Sequence, residues 1–94
     1  MYGWLITHDL IDTDAAGVVG PRGISDKDRL YLDSGRGHRF RMYDDDGKLY
    51  YAGLFVGDPA SEEGFGPLDD FGEPNAGAVR IDYYDHATRR WETL

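Results

Sequence analysis

The run HRFRMYDDDGKLYYAGLFVG, residues 38 to 57, leaves this chain the fewest choices. Two stretches rich in aromatic and aliphatic residues flank Asp46-Gly47, a pair suited to the tight turn of a β-hairpin because both residues tolerate positive φ. A two-residue type I′ turn there pairs Met42 with Tyr51 and Phe40 with Gly53, setting a large ring beside a residue without a side chain. Phe40, Met42, Leu49, Tyr51 and Phe55 then share one face, and Arg39 and Arg41 fall on the other. A three-residue loop, Asp45-Asp46-Gly47, would shift the pairing by one and turn one strand over. The two-residue turn is the expected one.

The same signals place the other elements. YGWLITHDLI alternates Tyr2, Trp4 and Ile6 with Gly3, Leu5 and Thr7 and reads as a strand partly covered on both faces. DTDAAGVVGPRGI is a glycine-punctuated loop whose tight turn is expected to bring Val18 and Val19 onto the core. Ser25, with Asp28 three residues on, caps a short helix from Asp26 to Ser34 that Gly35 ends, with Leu30 and Tyr31 as its core contacts. AVRIDYYDHATRRWETL reads as a second hairpin, with Val79, Ile81 and Tyr83 on one side, a turn around Asp85 to Arg89, and Trp91 on the returning strand. The expectation is a single α+β domain over residues 1–94: a small antiparallel sheet of four to five strands with one short helix. At 94 residues it buries somewhat over ~60% of the surface its unfolded chain exposes, enough for one core.

Between the hairpins lies a segment, Gly57 to Ala78, with neither helical nor strand period. Connections longer than about 12–15 residues are usually functional or disordered. This one holds Phe65, Leu68 and Phe71 as apolar anchors, and Pro59, Pro67 and Pro74 lower the entropy lost on ordering it. It reads as an ordered loop packed on the sheet, displaying Asp58, Glu62, Glu63, Asp69, Asp70 and Glu73 at fixed places. No base interrupts it, since none occurs between Lys48 and Arg80.

Charge narrows the function. The net charge is −8, and its distribution is uneven: residues 49–94 carry nine acids against three bases, residues 22–48 six acids against seven bases. An acidic field repels phosphate backbones and anionic lipid, which argues against direct binding to nucleic acid or membrane and steers a cationic partner inward. The absence of cysteine removes disulfides, thiolate chemistry and cysteine-based zinc sites. No apolar run approaches the ~20 residues of a membrane span, and MYGWLITHDLID lacks the features of a signal peptide, so a cytoplasmic protein is expected.

Specific chemistry finds little support. DTDAAG and DDDG resemble calcium loops, but Ala16 and Gly23 stand where the first needs ligands, and the acids of the second are adjacent instead of alternating. GVVGPRGIS sets glycines before a helix start, as phosphate loops do, without the lysine or spacing of one, and Asp26 and Asp28 already answer the helix dipole. His8, His38 and His86 share no ligand spacing. Ser25, Ser34 and Ser61 lack a nucleophile's context. Carboxylate pairs abound, as 18 acids ensure by chance, and so short a chain leaves little room to bury a substrate. No catalytic residue, cofactor or metal is assigned. GRGHRFR is the one basic cluster; Arg39 and Arg41 are expected to pair with the chain's own carboxylates.

The stretches RMYDDDGKLYY and PLDDFGEPNAG resemble those of a group of short hypothetical bacterial proteins that has no established activity. The resemblance implies a bacterial cytoplasmic origin and a self-contained domain, and carries no catalytic residue. The expected function is a non-enzymatic interaction module whose acidic loop meets a basic protein surface. A special form is an inhibitor occupying a nucleic-acid-binding site, although Arg39, Arg41, Arg89 and Arg90 interrupt the field. The competing reading is a small-molecule or carbohydrate binder, or a weak carboxylate-dependent hydrolase, using Trp4, Tyr50 or Trp91 as a stacking platform. The sequence leaves homo-oligomerisation open.

Overall fold

The hairpin forms the middle of the structure. In the computed structural model, which describes all of residues 1–94, β3 (His38–Tyr43) and β4 (Leu49–Val56) run antiparallel with Phe40 opposite Gly53 and Met42 opposite Tyr51, as the sequence predicts. A Cβ on Gly53 would collide with the Phe40 ring and the Leu5 carbonyl oxygen, so a side chain there would force the neighbouring strand away. The turn, however, is the three-residue one. The Asp44 N–H donates to the Lys48 carbonyl at 3.0 Å and the Gly47 N–H to the Asp44 carbonyl at 3.1 Å. Gly47 alone in the loop has positive φ, at 81°, where a type I′ turn needs two such residues. A bulge beside Met42 and Tyr43 absorbs the extra residue and restores the register. Its consequence is that Leu49, expected on the core face, lies on the opposite one beside Arg41 and Ala52.

Around this pair the sheet grows to six antiparallel strands in the order β2-β1-β4-β3-β5-β6. β1 (Gly3–Asp9) joins β4, β5 (Arg80–Asp85) joins β3, and β6 (Arg90–Thr93) forms the far edge. The strand beyond the expected number is β2 (Val19–Gly20), two residues that return along β1 and are too short to show alternation. Pairing there is made by backbone: the Ile6 N–H donates to the Val18 carbonyl at 2.9 Å and the Gly17 N–H to the Ile6 carbonyl at 2.7 Å. The Val18 side chain, expected inside, is left exposed.

α1 (Asp26–Asp33) begins as expected, with Ser25 Oγ accepting the Asp28 N–H at 3.1 Å. Its buried residue is Leu32, while Leu30 and Tyr31 are exposed, contrary to expectation. At 3.6 residues per turn, positions 30 and 32 point about 200° apart, so a helix docked through one must expose the other.

One face of the sheet carries the core: Trp4, Ile6, Phe40, Met42, Tyr51, Phe55, Ile81 and Tyr83. The segment 57–78 covers that face as a chain of unlike turns: a 3₁₀ turn (Glu62–Phe65), a π turn (Leu68–Gly72) and a short helix α2 (Glu73–Ala76). No turn type persists long enough to leave a period in the sequence. Pro67, Leu68 and Ala78 are buried, and Phe71 packs on Trp4 and Tyr51 with ring centroids 5.4 and 5.2 Å away. Gly64, Gly66 and Gly72 mark where the backbone lies flat on the molecule; a Cβ on Gly72 would sit 2.6 Å from Met42 Sδ, and one on Gly66 would enter the Tyr2 ring. Phe65, expected as an anchor, is 39% exposed because these glycines bring backbone, not its ring, to the sheet. Val79 is likewise exposed, since the chain reaches the core through Ala78 before β5 begins. No helix is long and apolar enough to cross a membrane.

Candidate functional site

The six carboxylates of segment 57–78 divide into two groups. Asp70 turns inward: it accepts the Tyr2 hydroxyl at 2.8 Å and the Trp4 indole N–H at 3.0 Å, tying the segment to β1. Burial, reinforced by this carboxylate, pushes the Tyr2 phenol up to about 12. Glu63 lies 3.0 Å from the Met1 amino group. Asp58 Oδ1 accepts the Ala60 N–H at 3.0 Å, yet the residue remains exposed, as do Glu62, Asp69 and Glu73. Asp70 is exposed too, but its carboxylate is engaged with Tyr2 and Trp4, so the outward display expected of six acids is left to the other four exposed ones.

Two further aromatic side chains hold the segment by their polar tips. Tyr83, whose phenol burial pushes up strongly, donates to the Gly64 carbonyl at 2.8 Å. Tyr51 stands in a chain of donors: Asn75 Nδ2 lies 2.6 Å from Tyr51 Oη, which lies 2.7 Å from Thr13 Oγ1, which donates to Asp9 Oδ2 at 2.8 Å. The direction is fixed from its end, because an ionised carboxylate only accepts. Asn75 thus links segment 57–78 to the loop after β1.

That loop is organised around Asp9. Its carboxylate also accepts the N–H groups of Ile11, Thr13 and Ala15 at 2.9, 2.7 and 2.9 Å. Desolvation opposes ionisation, but the donors of Ala15, Ile11 and Thr13 outweigh it and hold the carboxyl at about 2. DTDAAG thus wraps donors around an anion, the reverse of a calcium cage. In the β3–β4 turn, Asp44, Asp45 and Asp46 bring carboxylate oxygens within 4.8 Å of one another, and Asp44 already accepts the Asp46 and Lys48 N–H groups at 2.9 and 2.7 Å. In GVVGPRGIS the N–H groups of Gly17, Val18 and Ile24 donate to carbonyls of the chain, and just beyond it the Asp28 N–H donates to Ser25 Oγ.

The other face of the sheet is open over much of its area. A depression of about 700 Å³ lies between the α1–β3 connection, the end of β1 and β6, floored by Leu49, Ala52 and Leu54. Arg39 and Arg41 project into it. Contrary to the expectation from charge counting, they do not pair with carboxylates; the two ion pairs of the molecule are Met1 with Glu63 and Arg80 with Asp82. Arg41 instead lies 4.1 Å above the Trp91 ring centroid, and Arg39 lies 5.1 and 5.2 Å from those of Tyr84 and Trp91. Asp82 stands opposite Arg41 across β3 and β5, but it is buried and accepts Thr93 Oγ1 at 2.6 Å, with Arg80 Nε at 3.2 Å. Arg80 Nη2 donates to Asp82 Oδ2 at 3.5 Å, whereas its Nε approaches as a charge without hydrogen-bond alignment.

Of the three rings expected to offer a stacking platform, Trp4 is 3% exposed, Tyr50 is half-buried in the bulge, and Trp91 carries Arg41 on its face. The arginine–tryptophan stack was missed in the sequence because it depends on β5, and not β1, lying beside β3. Compared with protein-family models, curated proteins and solved structures, the chain matches none of them.

Proposed function

We propose that the protein is a non-enzymatic, cytoplasmic binding module that recognises a basic protein surface through the outer side of segment 57–78. The observation that carries this reading is Phe65: a ring 39% exposed on a segment pinned at the adjacent Gly64, with Glu62 in the same turn and Asp69 four residues on. Carboxylates steer a cationic partner and set register, while an aromatic side chain supplies contact area at low entropy cost. The segment's anchors support it further, because a surface held before binding loses less freedom on binding. Inhibition of a nucleic-acid-binding protein is the special case in which the basic surface met is a phosphate-binding one.

The test is affinity capture from the native host, comparing the wild type with Phe65→Ala and with Asp58→Asn, Glu62→Gln, Asp69→Asn and Glu73→Gln combined. The expected result is capture of basic proteins by the wild type, release by moderate salt, and loss in both variants at unchanged melting temperature. Capture of the same proteins by the charge-depleted variant would overturn the reading.

A further inference from the structure

We propose that the depression on the open face is a second binding site, separate from segment 57–78, that takes an extended peptide bearing two acidic side chains two residues apart. Arg39 and Arg41 are themselves two residues apart on β3, so their stems rise from the same face about 6.5–7 Å apart. Acidic side chains at i and i+2 of an extended peptide share that repeat. Cation–π attraction to Tyr84 and Trp91 holds the two guanidinium groups, and their N–H groups, bonded to no carboxylate of the chain, are available for bidentate carboxylates. No acid of the chain competes, because neither arginine is in an ion pair and Asp82 is already engaged. Across from the arginines on β4 lie Leu54 and Ala52, an apolar strip for the backbone and aliphatic stems of the peptide.

Charge chooses between acidic ligands. The net charge of −8 repels a long polyanion along its whole length, whereas a short segment engages two arginines at contact distance. At physiological ionic strength the Debye length is about 8 Å, so the more distant acids act weakly on it. A peptide is favoured over a nucleic acid on this ground.

The probe is a panel of synthetic peptides with a Glu-X-Glu centre, neutral β-prone flanks and matched Gln-X-Gln controls, titrated against the full chain. Trp91 emission reports occupancy, since Trp4 is closed to solvent. The expected result is that members of the Glu-X-Glu set bind about tenfold or more tightly than their controls, with that advantage lost in Arg39→Gln/Arg41→Gln. Arg39→Lys/Arg41→Lys, which keeps charge and removes the bidentate edge, is expected to bind severalfold more weakly than wild type at an unchanged circular dichroism spectrum. Four results would each overturn the proposal: no binding by any Glu-X-Glu peptide, equal binding of the Gln controls, tighter binding of a single-stranded oligonucleotide or pyrophosphate, or self-association of the chain that Arg39→Gln/Arg41→Gln abolishes. The last would make a second copy the occupant.

Discussion

Asp69 and Asp70 are neighbours with the same side chain, and only Asp70 is fastened to β1. Replacing Asp70 by Ala removes a charged acceptor from two hydrogen bonds, each worth about 1.5–3 kcal/mol where water cannot replace it. Water reaches Tyr2 Oη and recovers part of the loss there. The Trp4 indole belongs to a residue only 3% exposed and is left short of a partner. The expected destabilisation is about 2–3 kcal/mol, a fall of roughly 10–20 °C in Tm for a domain of this size. Asp70→Asn keeps one acceptor oxygen and is expected to lose about 1 kcal/mol, and Asp69→Asn less than about 0.5 kcal/mol. Thermal unfolding followed by circular dichroism measures all three. Alkaline ultraviolet titration supplies an independent reading: Tyr2 ionises near 12 in the wild type, and in Asp70→Asn it should ionise lower, though still above 10.0 because burial is the larger cause. Tyr2 keeps its proton in the folded chain after the unfolded chain has lost it, so wild-type stability falls as pH rises from 10 toward 12, and less steeply in the variant. An Asp70→Ala protein that melts with the wild type and titrates like it would refute the fastening.

Asp9 behaves in the opposite sense. Its carboxyl is held at about 2 against an ordinary 3.8, so its contribution is complete above pH 4 and is lost as pH falls toward 2; the stability gap between wild type and Asp9→Asn should close over that window in acid-unfolding curves. Millimolar calcium should leave Tm unmoved, because the loop around Asp9 presents donors. Gly47→Val is expected to destabilise by about 1–2 kcal/mol through φ alone, since nothing lies within 4 Å of its Cβ direction, and Gly47→Asn by less, in denaturant titration. Phe71→Ala should lower stability by about 2–3 kcal/mol, while Phe65→Ala should stay within about 0.5 kcal/mol.

The pairing of β3 with β4 was legible because two constraints coincide on it, the alternation of large apolar residues and the need of Phe40 for an empty neighbour at Gly53. The turn was not, because Asp45-Asp46-Gly47 suits either loop length and a bulge separates loop length from register. Leu30, Tyr31 and Leu32 form an unbroken apolar run, and such a run does not say which residue faces inward. In the candidate site, chemistry was visible and aim was not: Asp70 meets partners 66 and 68 residues away, and no local pattern separates it from Asp69. Arg39 and Arg41 were placed on the right face but given the wrong neighbours, since excess acid says nothing of which strand lies alongside. PLDDFGEPNAG, which reads as a display of acids, is largely a set of fastenings: Pro67 and Leu68 buried, Asp70 on β1, Phe71 on Trp4, Asn75 on Tyr51 and Gly77 left-handed at φ 75°.

The strand order also sets a sequence of events. β1 with β2, β3 with β4, and β5 with β6 are neighbours along the chain, so each pair closes a short loop. The seams between them, β1 with β4 and β3 with β5, join distant segments and close late. During synthesis β1 waits for residue 56 before its inner edge has a partner, and Tyr2 and Trp4 wait for residue 70 before they are roofed. A ribosome-bound chain halted in that interval exposes an aromatic sheet face with no cover, the state in which chaperone contact and misassembly compete with completion.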